Sequence, residues 1–148
     1  MMDDYIISGD KSKLDITLIH SFITNAYWAK GRTYEEVKNT IHYSDCFGIY
    51  KNSHQVGFAR VLSDYTVFAY LMDVFIISAY RGKGLSKKLL TAVFEDSKFK
   101  QVKKWMLATS DAHGLYEKFG FKVVSNPGKH MEKTVSKNRN ALSNSVDN

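Results

Sequence analysis

Hydrophobic residues recur with two different periods in the first part of the chain, and each period predicts an element. Tyr5 to Ser8 is a short apolar run that ends at a glycine, which predicts a first strand. From Leu14 to Trp28, large apolar residues return at every fourth position, as on one face of a helix. Thr33 and Glu36 form a capping-box pattern, which predicts a second helix over Tyr34 to His42.

The middle of the chain has the patterns of strands and then of a helix. The runs Cys46 to Tyr50 and Gln55 to Leu62 flank a short polar loop, which predicts a hairpin. Val67 to Ile77 is rich in aromatic and β-branched residues and predicts a central strand buried on both faces. From Leu85 the apolar spacing becomes helical, and this helix is expected to fade near Phe99.

The last third returns to short elements. Trp105 to Ala108 predicts a buried strand, and the stripe from Ala112 to Phe119 predicts a short helix that ends at Gly120 as a left-handed C-cap. Phe121 to Val124 predicts the next strand, and Met131 to Val135 could be a last edge strand. The resulting order, β-α-α-β-β-β-α-β-α-β, predicts an α/β domain with a mixed sheet.

Length and composition predict one soluble domain. A chain of 148 residues, 44% of them hydrophobic, is of the usual size for one domain and can build a core. No apolar run approaches the roughly 20 residues of a membrane helix, and the acidic start lacks the features of a secretory signal. We therefore expect a cytoplasmic protein with no membrane partner. The polar stretch 136–148 is expected to be a disordered tail.

The charge of the chain narrows the choice of partner. The formal net charge of +6 suits an anionic partner. A nucleic-acid-binding domain would spread its basic residues along a face with stacking aromatics. Here they concentrate in the tail and around one turn, at Arg81, Lys83, Lys87 and Lys88. Nucleic acid is therefore not the expected partner.

The cysteine and the histidines indicate neither a thiol nucleophile nor a metal site. Cys46 is the one cysteine and stands in an apolar run, which predicts a buried thiol rather than a nucleophile. The histidines show no metal-ligand spacing, so we expect no metal.

The strongest chemical motif is a strand followed by a glycine-rich basic turn and a helix. In Arg81-Gly82-Lys83-Gly84 the glycines allow close approach of the backbone to an oxyanion. The N–H groups of the helix start favour negative charge, so a pyrophosphate fits. The turn does not match a dinucleotide fingerprint, because Lys87 replaces the third glycine, and it lacks the spacing of a P-loop. A turn without a ligand remains the alternative.

Two motifs in this order resemble the GNAT superfamily of N-acetyltransferases. Its pyrophosphate motif, Gln/Arg-x-x-Gly-x-Gly/Ala, is matched from Arg81 to Ser86, with Ser86 in place of Gly or Ala. Its Ala-x-x-Leu-Tyr-x-x-x-Gly-Phe signature is matched from Ala112 to Phe121, with Thr109 where Asn often precedes it. The resemblance implies a GNAT-like acyl-CoA N-acyltransferase fold over residues 1–135.

The resemblance also implies acetyl-CoA as cosubstrate and direct attack of a primary amine on the thioester. The pantetheine arm would lie along the strand that ends at Ile77, as an added strand does, and a backbone N–H there would polarise the thioester carbonyl. The residues that the resemblance assigns to coenzyme binding are Val74, Phe75, Ile76, Arg81, Gly82, Lys83, Gly84, Leu85, Ser86 and Lys87.

Proton transfer needs an acid and a base. The resemblance assigns Tyr116 as the acid for the leaving thiolate, with core packing as the alternative. Asp73, a carboxylate within an apolar run, is the first candidate base, and an ion pair with a nearby Arg or Lys is an equal alternative. His113 is the second candidate, with a solvent-facing or hydrogen-bonded histidine of no catalytic role as the alternative, and a water molecule could also act.

The acceptor is expected to bind at the link between the first two helices, which in related enzymes contacts the substrate. Trp28 and Arg32 are the candidates, with core packing of the aromatic residues as an equal alternative, and Arg32 would favour an acceptor with a carboxylate. A small-molecule or peptide amine fits this interpretation, which also leaves a homodimer open. The competing hypothesis is a noncatalytic acyl-CoA-binding or sensing module on the same fold.

Overall fold

The computed structural model describes residues 4–26 and 29–135. The described residues divide into two compact units, one within residues 1–111 and the other within residues 112–148. Trp28 and the predicted tail 136–148 lie outside the described residues. Within the described ranges, no helix combines the length and the apolar character that crossing a bilayer requires.

The described residues of the first unit form a mixed sheet with three α-helices. The strands follow one another in space in chain order, and β1 to β4 pair antiparallel while β5 pairs parallel to β4. The predicted mixed α/β architecture is therefore confirmed. The elements are β1 (Tyr5–Ser8), α1 (Ile16–Thr24), α2 (Tyr34–His42), β2 (Asp45–Lys51), β3 (His54–Ser63), β4 (Phe68–Ile76), α3 (Leu85–Glu95) and β5 (Lys104–Met106).

Side-chain caps fix where the first two helices begin. The Thr33 hydroxyl accepts from the Glu36 backbone N–H at 3.1 Å, and the Glu36 carboxylate accepts from the Thr33 N–H at 2.8 Å. This confirms the predicted capping box and the bounds of α2. The first helix is shorter than predicted, because the Asp15 carboxylate accepts from the Leu18 N–H at 3.0 Å and so starts α1 at Ile16.

The helices bury both faces of the sheet. α1 and α2 cover the face that includes Phe58 and Phe75. Cys46 of β2 belongs to the same core cluster. Phe47 is the next residue along the strand, so its side chain points to the opposite face of the sheet, where its ring lies 6.3 Å from the ring of Phe99. α3 packs against β2, β3 and β4 through its buried residues Leu85, Leu89, Leu90 and Val93.

The second unit departs from the prediction. Helix α4 spans His113–Glu117, and Gly120 has the left-handed φ of +90° expected of a C-cap. No strand is present in residues 112–135, so the strands predicted over Phe121 to Val124 and Met131 to Val135 are wrong. Val123 is 71% exposed and Met131 is 97% exposed, so these segments bury too little apolar surface to stabilise a strand.

We predict that Tyr50→Phe stabilises the protein. The Tyr50 hydroxyl is buried without a hydrogen-bond partner among the described residues, which costs about 1–3 kcal/mol. Burial raises the pKa of Tyr50 to about 12, whereas the unfolded chain ionises it near 10, so the free energy of unfolding falls as the pH rises from about 10 to about 12. Denaturant unfolding at pH 8 should show a higher free energy of unfolding for Tyr50→Phe. A lower value would contradict the assignment of an unsatisfied hydroxyl.

Candidate functional site

A β-bulge interrupts β4 near its carboxyl end. Phe58 of β3 lies opposite Phe75, but Arg60 lies opposite Met72, so two residues of β4 face one residue of β3. The first of these two residues, Asp73, has a φ of +55°. A left-handed conformation costs an ordinary residue about 1–2 kcal/mol, so the surrounding structure must hold it in place.

Beyond the bulge, one edge of β4 is not paired with β5. The register of β5 covers only Phe68 to Tyr70 of β4. The Ile77 N–H donates to Val56 of β3 at 2.9 Å. Alternate residues of a strand direct their backbone groups to opposite sides, so those of Val74 and Ile76 face away from β3. This edge has the geometry that an extended ligand needs in order to add to the strand.

The turn after β4 has the backbone conformation of an anion cradle. Gly82 and Gly84 have φ values of +78° and +75°, and a Cβ at Gly82 would meet no atom within 4 Å. Gly84 caps α3 without any side-chain hydrogen bond, and the first N–H groups of the helix have no partner within it. Lys83 and Lys87 are exposed beside them, whereas Leu85 is buried and can contribute only its backbone. This arrangement of donors and positive charge fits a diphosphate.

Arg81 turns back from the cradle toward β4 and α1. Its Nε donates to the Ile76 carbonyl at 3.0 Å, and its guanidinium lies 5.9 Å from the centre of the Phe22 ring. Phe22 in turn stacks on Phe75 with a centroid distance of 4.0 Å. Arg81 therefore ties the end of β4 to α1, which the glycine-rich motif alone did not indicate.

Arg81 also lines an open cavity of about 580 Å³ in the first unit. Its other residues come from α1, from the two residues that follow α1, and from the segment after β5: Leu18, Ser21, Phe22, Asn25, Ala26 and Asp111. Sequence reasoning missed Asn25 and Asp111, because the periodicity that predicts α1 does not show which polar side chains face a cavity.

Asp73 is the centre of a buried ionic network. Its Oδ2 accepts from Arg60 Nε at 2.8 Å and from Arg32 Nη1 at 2.9 Å, and its side chain is 1% exposed. Asp73 therefore forms the ion pairs with nearby arginines that the alternative interpretation predicts. The role of general base stays a prediction, and the burial works against it because an acceptor amine cannot reach the carboxylate without displacing these groups.

Arg60 is a member of this network that sequence reasoning missed. It is 4% exposed, and its Nη1 donates to the Ser44 hydroxyl at 2.9 Å. A buried arginine needs a partner, so an arginine within the apolar run of β3 was the available signal. Arg32, which was predicted to bind the acceptor substrate, donates from Nη1 to Asp73, and 21% of its side chain is exposed.

The two candidates in the second unit differ in exposure. Tyr116 is 8% exposed, and its ring lies edge-on to Phe121 at 5.9 Å. His113 is exposed at the first position of α4. Tyr116 packs within its unit, as the core alternative requires, and its role as an acid stays a prediction.

Neither a thiol nucleophile nor a metal centre is evident in the described residues. Cys46 is 3% exposed, as predicted, and burial raises the pKa of its thiol to about 11. The thiol therefore stays protonated near neutral pH. Across residues 4–26 and 29–135, no three His, Cys, Asp or Glu side chains come together in a group that could hold a metal ion.

Comparisons with known proteins agree with the motifs. The family model of the GNAT acetyltransferase domain matches residues 42–123. A crystal structure from Xanthomonas campestris pv. campestris, assigned to the GNAT family, is 44% identical with a TM-score of 0.86 and covers 88% of this chain and 93% of that chain. A Gibberella zeae protein with an acetyltransferase name is 25% identical, covering 78% of this chain and 77% of that protein.

One structural neighbour contains the coenzyme. It is a Clostridium acetobutylicum acetyltransferase structure with acetyl-CoA, 17% identical to this chain with a TM-score of 0.63, covering 88% of this chain and 94% of that one. At this identity the likeness is one of fold.

Proposed function

The chain belongs to the GNAT family of acetyltransferases, and we propose that it moves the acetyl group of acetyl-CoA to a primary amine by direct attack. The observation that carries this proposal is the left-handed turn at Gly82 and Gly84, which opens α3 and is separated from the unpaired edge of β4 by one 3-10 turn at Ser78–Tyr80. A diphosphate and an extended pantetheine arm are joined in one molecule of acetyl-CoA. The unpaired edge and the turn lie close together in the chain, so one such molecule can bind both.

Coenzyme binding would use mainly backbone groups. The N–H groups after Gly84 would hold the pyrophosphate, with Lys83 and Lys87 adding charge. The backbone groups of Val74 and the N–H of Ile76 would bond the pantetheine arm, because the Ile76 carbonyl already accepts from Arg81. One N–H there would stabilise the oxyanion that forms on the thioester carbonyl. The coenzyme-bound neighbour from Clostridium acetobutylicum supports acetyl-CoA as the donor within this fold.

The chemical step needs one proton removed and one supplied. The neutral amine attacks the thioester carbon, the C–S bond breaks, and the leaving thiolate takes a proton. Tyr116 is the proposed donor of that proton. Because Asp73 is buried under two arginines, we propose that water or an exposed group such as His113 receives the proton of the amine.

The acceptor class can be tested with matched pairs of amines. Free-thiol release from acetyl-CoA would be followed with amino acids and with the amines that remain after their decarboxylation. If Arg32 recognises a carboxylate, the amino acid of each pair should have at least tenfold higher kcat/KM, about 1.4 kcal/mol. Equal values would remove Arg32 from acceptor recognition, and no thiol release with any amine would contradict the proposed transfer.

The same protein preparation distinguishes the noncatalytic alternative from acetyl transfer. Isothermal titration with acetyl-CoA measures binding without turnover. Binding at micromolar levels without thiol release across amines, peptides and alcohols would favour an acyl-CoA-binding module. No observation on the described residues favours that function over transfer.

A further inference from the structure

We infer that Asp73 is a positioning residue, whose bonds to Arg60 and Arg32 hold the β4 bulge and couple it to the link between α1 and α2. The inference rests on the proposed acetyl transfer for its kinetic readout. It replaces the general-base role by a mechanical one, and it assigns a role to Arg60, which the family motifs do not include.

The first support is the backbone of Asp73 itself. Its φ of +55° lies in a region that side-chain-bearing residues seldom adopt, although Asp tolerates it better than most. Such a conformation persists only where neighbouring groups fix it. Two guanidinium groups within 2.9 Å of the same carboxylate oxygen, with 1% of the side chain exposed, provide that fixation.

The second support is what each arginine is attached to. Arg60 lies on β3, and its other contact is Ser44, whose hydroxyl donates to the Thr40 carbonyl of α2 at 2.6 Å. This side of the network is buried and anchored in two elements. It gives the carboxylate a fixed position.

Arg32 is the other side of the network, and it belongs to the link between α1 and α2. Its backbone N–H donates to the Ala29 carbonyl at 3.1 Å, and its carbonyl lies 3.1 Å from His20 Nε2 of α1. One oxygen of Asp73 therefore connects β3, β4 and the link. A change in the link on acceptor binding would be transmitted to the bulge through the Arg32–Asp73 hydrogen bond.

The bulge matters because it sets the direction of the backbone that follows it. A shift of one residue in the pairing of β4 would turn the N–H groups of Val74 and Ile76 toward β3 and away from the open edge. These groups are the proposed partners of the pantetheine arm and the oxyanion. The turn at Gly82 and Gly84, which is the proposed pyrophosphate site, lies outside the bulge and should still hold the coenzyme. Loss of the Asp73 contacts should therefore lower the chemical rate more than it weakens coenzyme binding.

The kinetic test compares two variants of Asp73 with a matched control. Asp73→Asn keeps the shape and the tolerance for positive φ, whereas Asp73→Gly adopts that φ freely but loses the anchor. We expect kcat to fall about threefold for Asn and about five- to tenfold for Gly, with the acetyl-CoA Kd within about twofold. The midpoint of the pH–rate profile should not move. The control is Asp45→Asn, which alters an aspartate 3.5 Å from Lys98 and should leave kcat unchanged.

A second measurement needs no activity and protects the test against misfolding. Arg32→Gln spares the buried pair of Asp73 with Arg60, so the variant should remain folded. Hydrogen–deuterium exchange should become about tenfold faster both in residues 29–33 and in residues 72–76, and Asp45→Asn should change neither. If no acceptor is found for the wild type, this measurement alone decides the inference.

Three results would overturn it. A loss of about 10² or more in rate for Asp73→Asn, with a shifted pH midpoint, would restore the general base. Faster exchange in residues 29–33 alone would show that the link is not coupled to the bulge. If kcat and hydrogen–deuterium exchange stay at their wild-type values in every variant, the network has only a packing role.

Discussion

Replacing Tyr116 by phenylalanine should lower the single-turnover rate of acetyl transfer by roughly 10² or more, the low end of general-acid contributions. The substitution removes one hydroxyl and keeps the ring in its place against Phe121. An ordinary thiol has a pKa near 8.5, so the sulfur departs more readily when a donor protonates it as the C–S bond breaks. Single-turnover measurement is needed because product release can hide the chemical step.

The matched control for this variant is Tyr50→Phe, which removes a buried hydroxyl from β2. Its rate should remain at the wild-type value, while its stability rises. For Tyr116→Phe, the acetyl-CoA Kd and the melting temperature should both stay near wild type. A rate within a few-fold of wild type would instead mean that Tyr116 is a packing residue and that water or another group protonates the thiolate.

Replacing Gly84 by valine should raise the Kd of acetyl-CoA at least tenfold, about 1.4 kcal/mol. Gly84 has a φ of +75° at the cap of α3, which a β-branched residue adopts only with strain. The side chain would also stand where the pyrophosphate approaches the backbone. Isothermal titration of the folded variant measures the effect directly.

The control for Gly84→Val is Gly120→Val, since Gly120 has a similar φ of +90° and space around its Cβ. Both variants carry comparable backbone strain, so both should lose stability by about 1–2 kcal/mol. Only the Gly84 variant should lose coenzyme affinity. Equal Kd values for the two folded variants and the wild type would remove the turn from the coenzyme site.

Local signals in the sequence determined much of the fold. The capping box at Thr33 and Glu36 located α2 to the residue, because both of its hydrogen bonds form within four consecutive residues. The glycines located the turn for the same local reason, and Gly82 and Gly84 have the left-handed backbone that glycine permits. The two motifs also sufficed to identify the family, which the match over residues 42–123 confirms.

Strand formation in the last third could not be read from the pattern. Phe121 to Val124 has the composition of a strand, but a strand also needs a paired neighbour and a buried face, and Val123 is exposed. The end of α1 was misjudged for a related reason. Apolar spacing continues past Thr24, whereas the hydrogen bonds of the helix do not.

The sequence by itself determined the elements with local caps and turns, the glycine-rich cradle and the family. Tertiary structure alone decided the partners of Asp73, because Arg32 and Arg60 are distant from it along the chain and meet it only when β3, β4 and the link are assembled. It also decided the contacts of Arg81, whose Nε donates to the Ile76 carbonyl. A buried charge is stabilised by whichever opposite charge the fold brings near, and no local pattern records that choice.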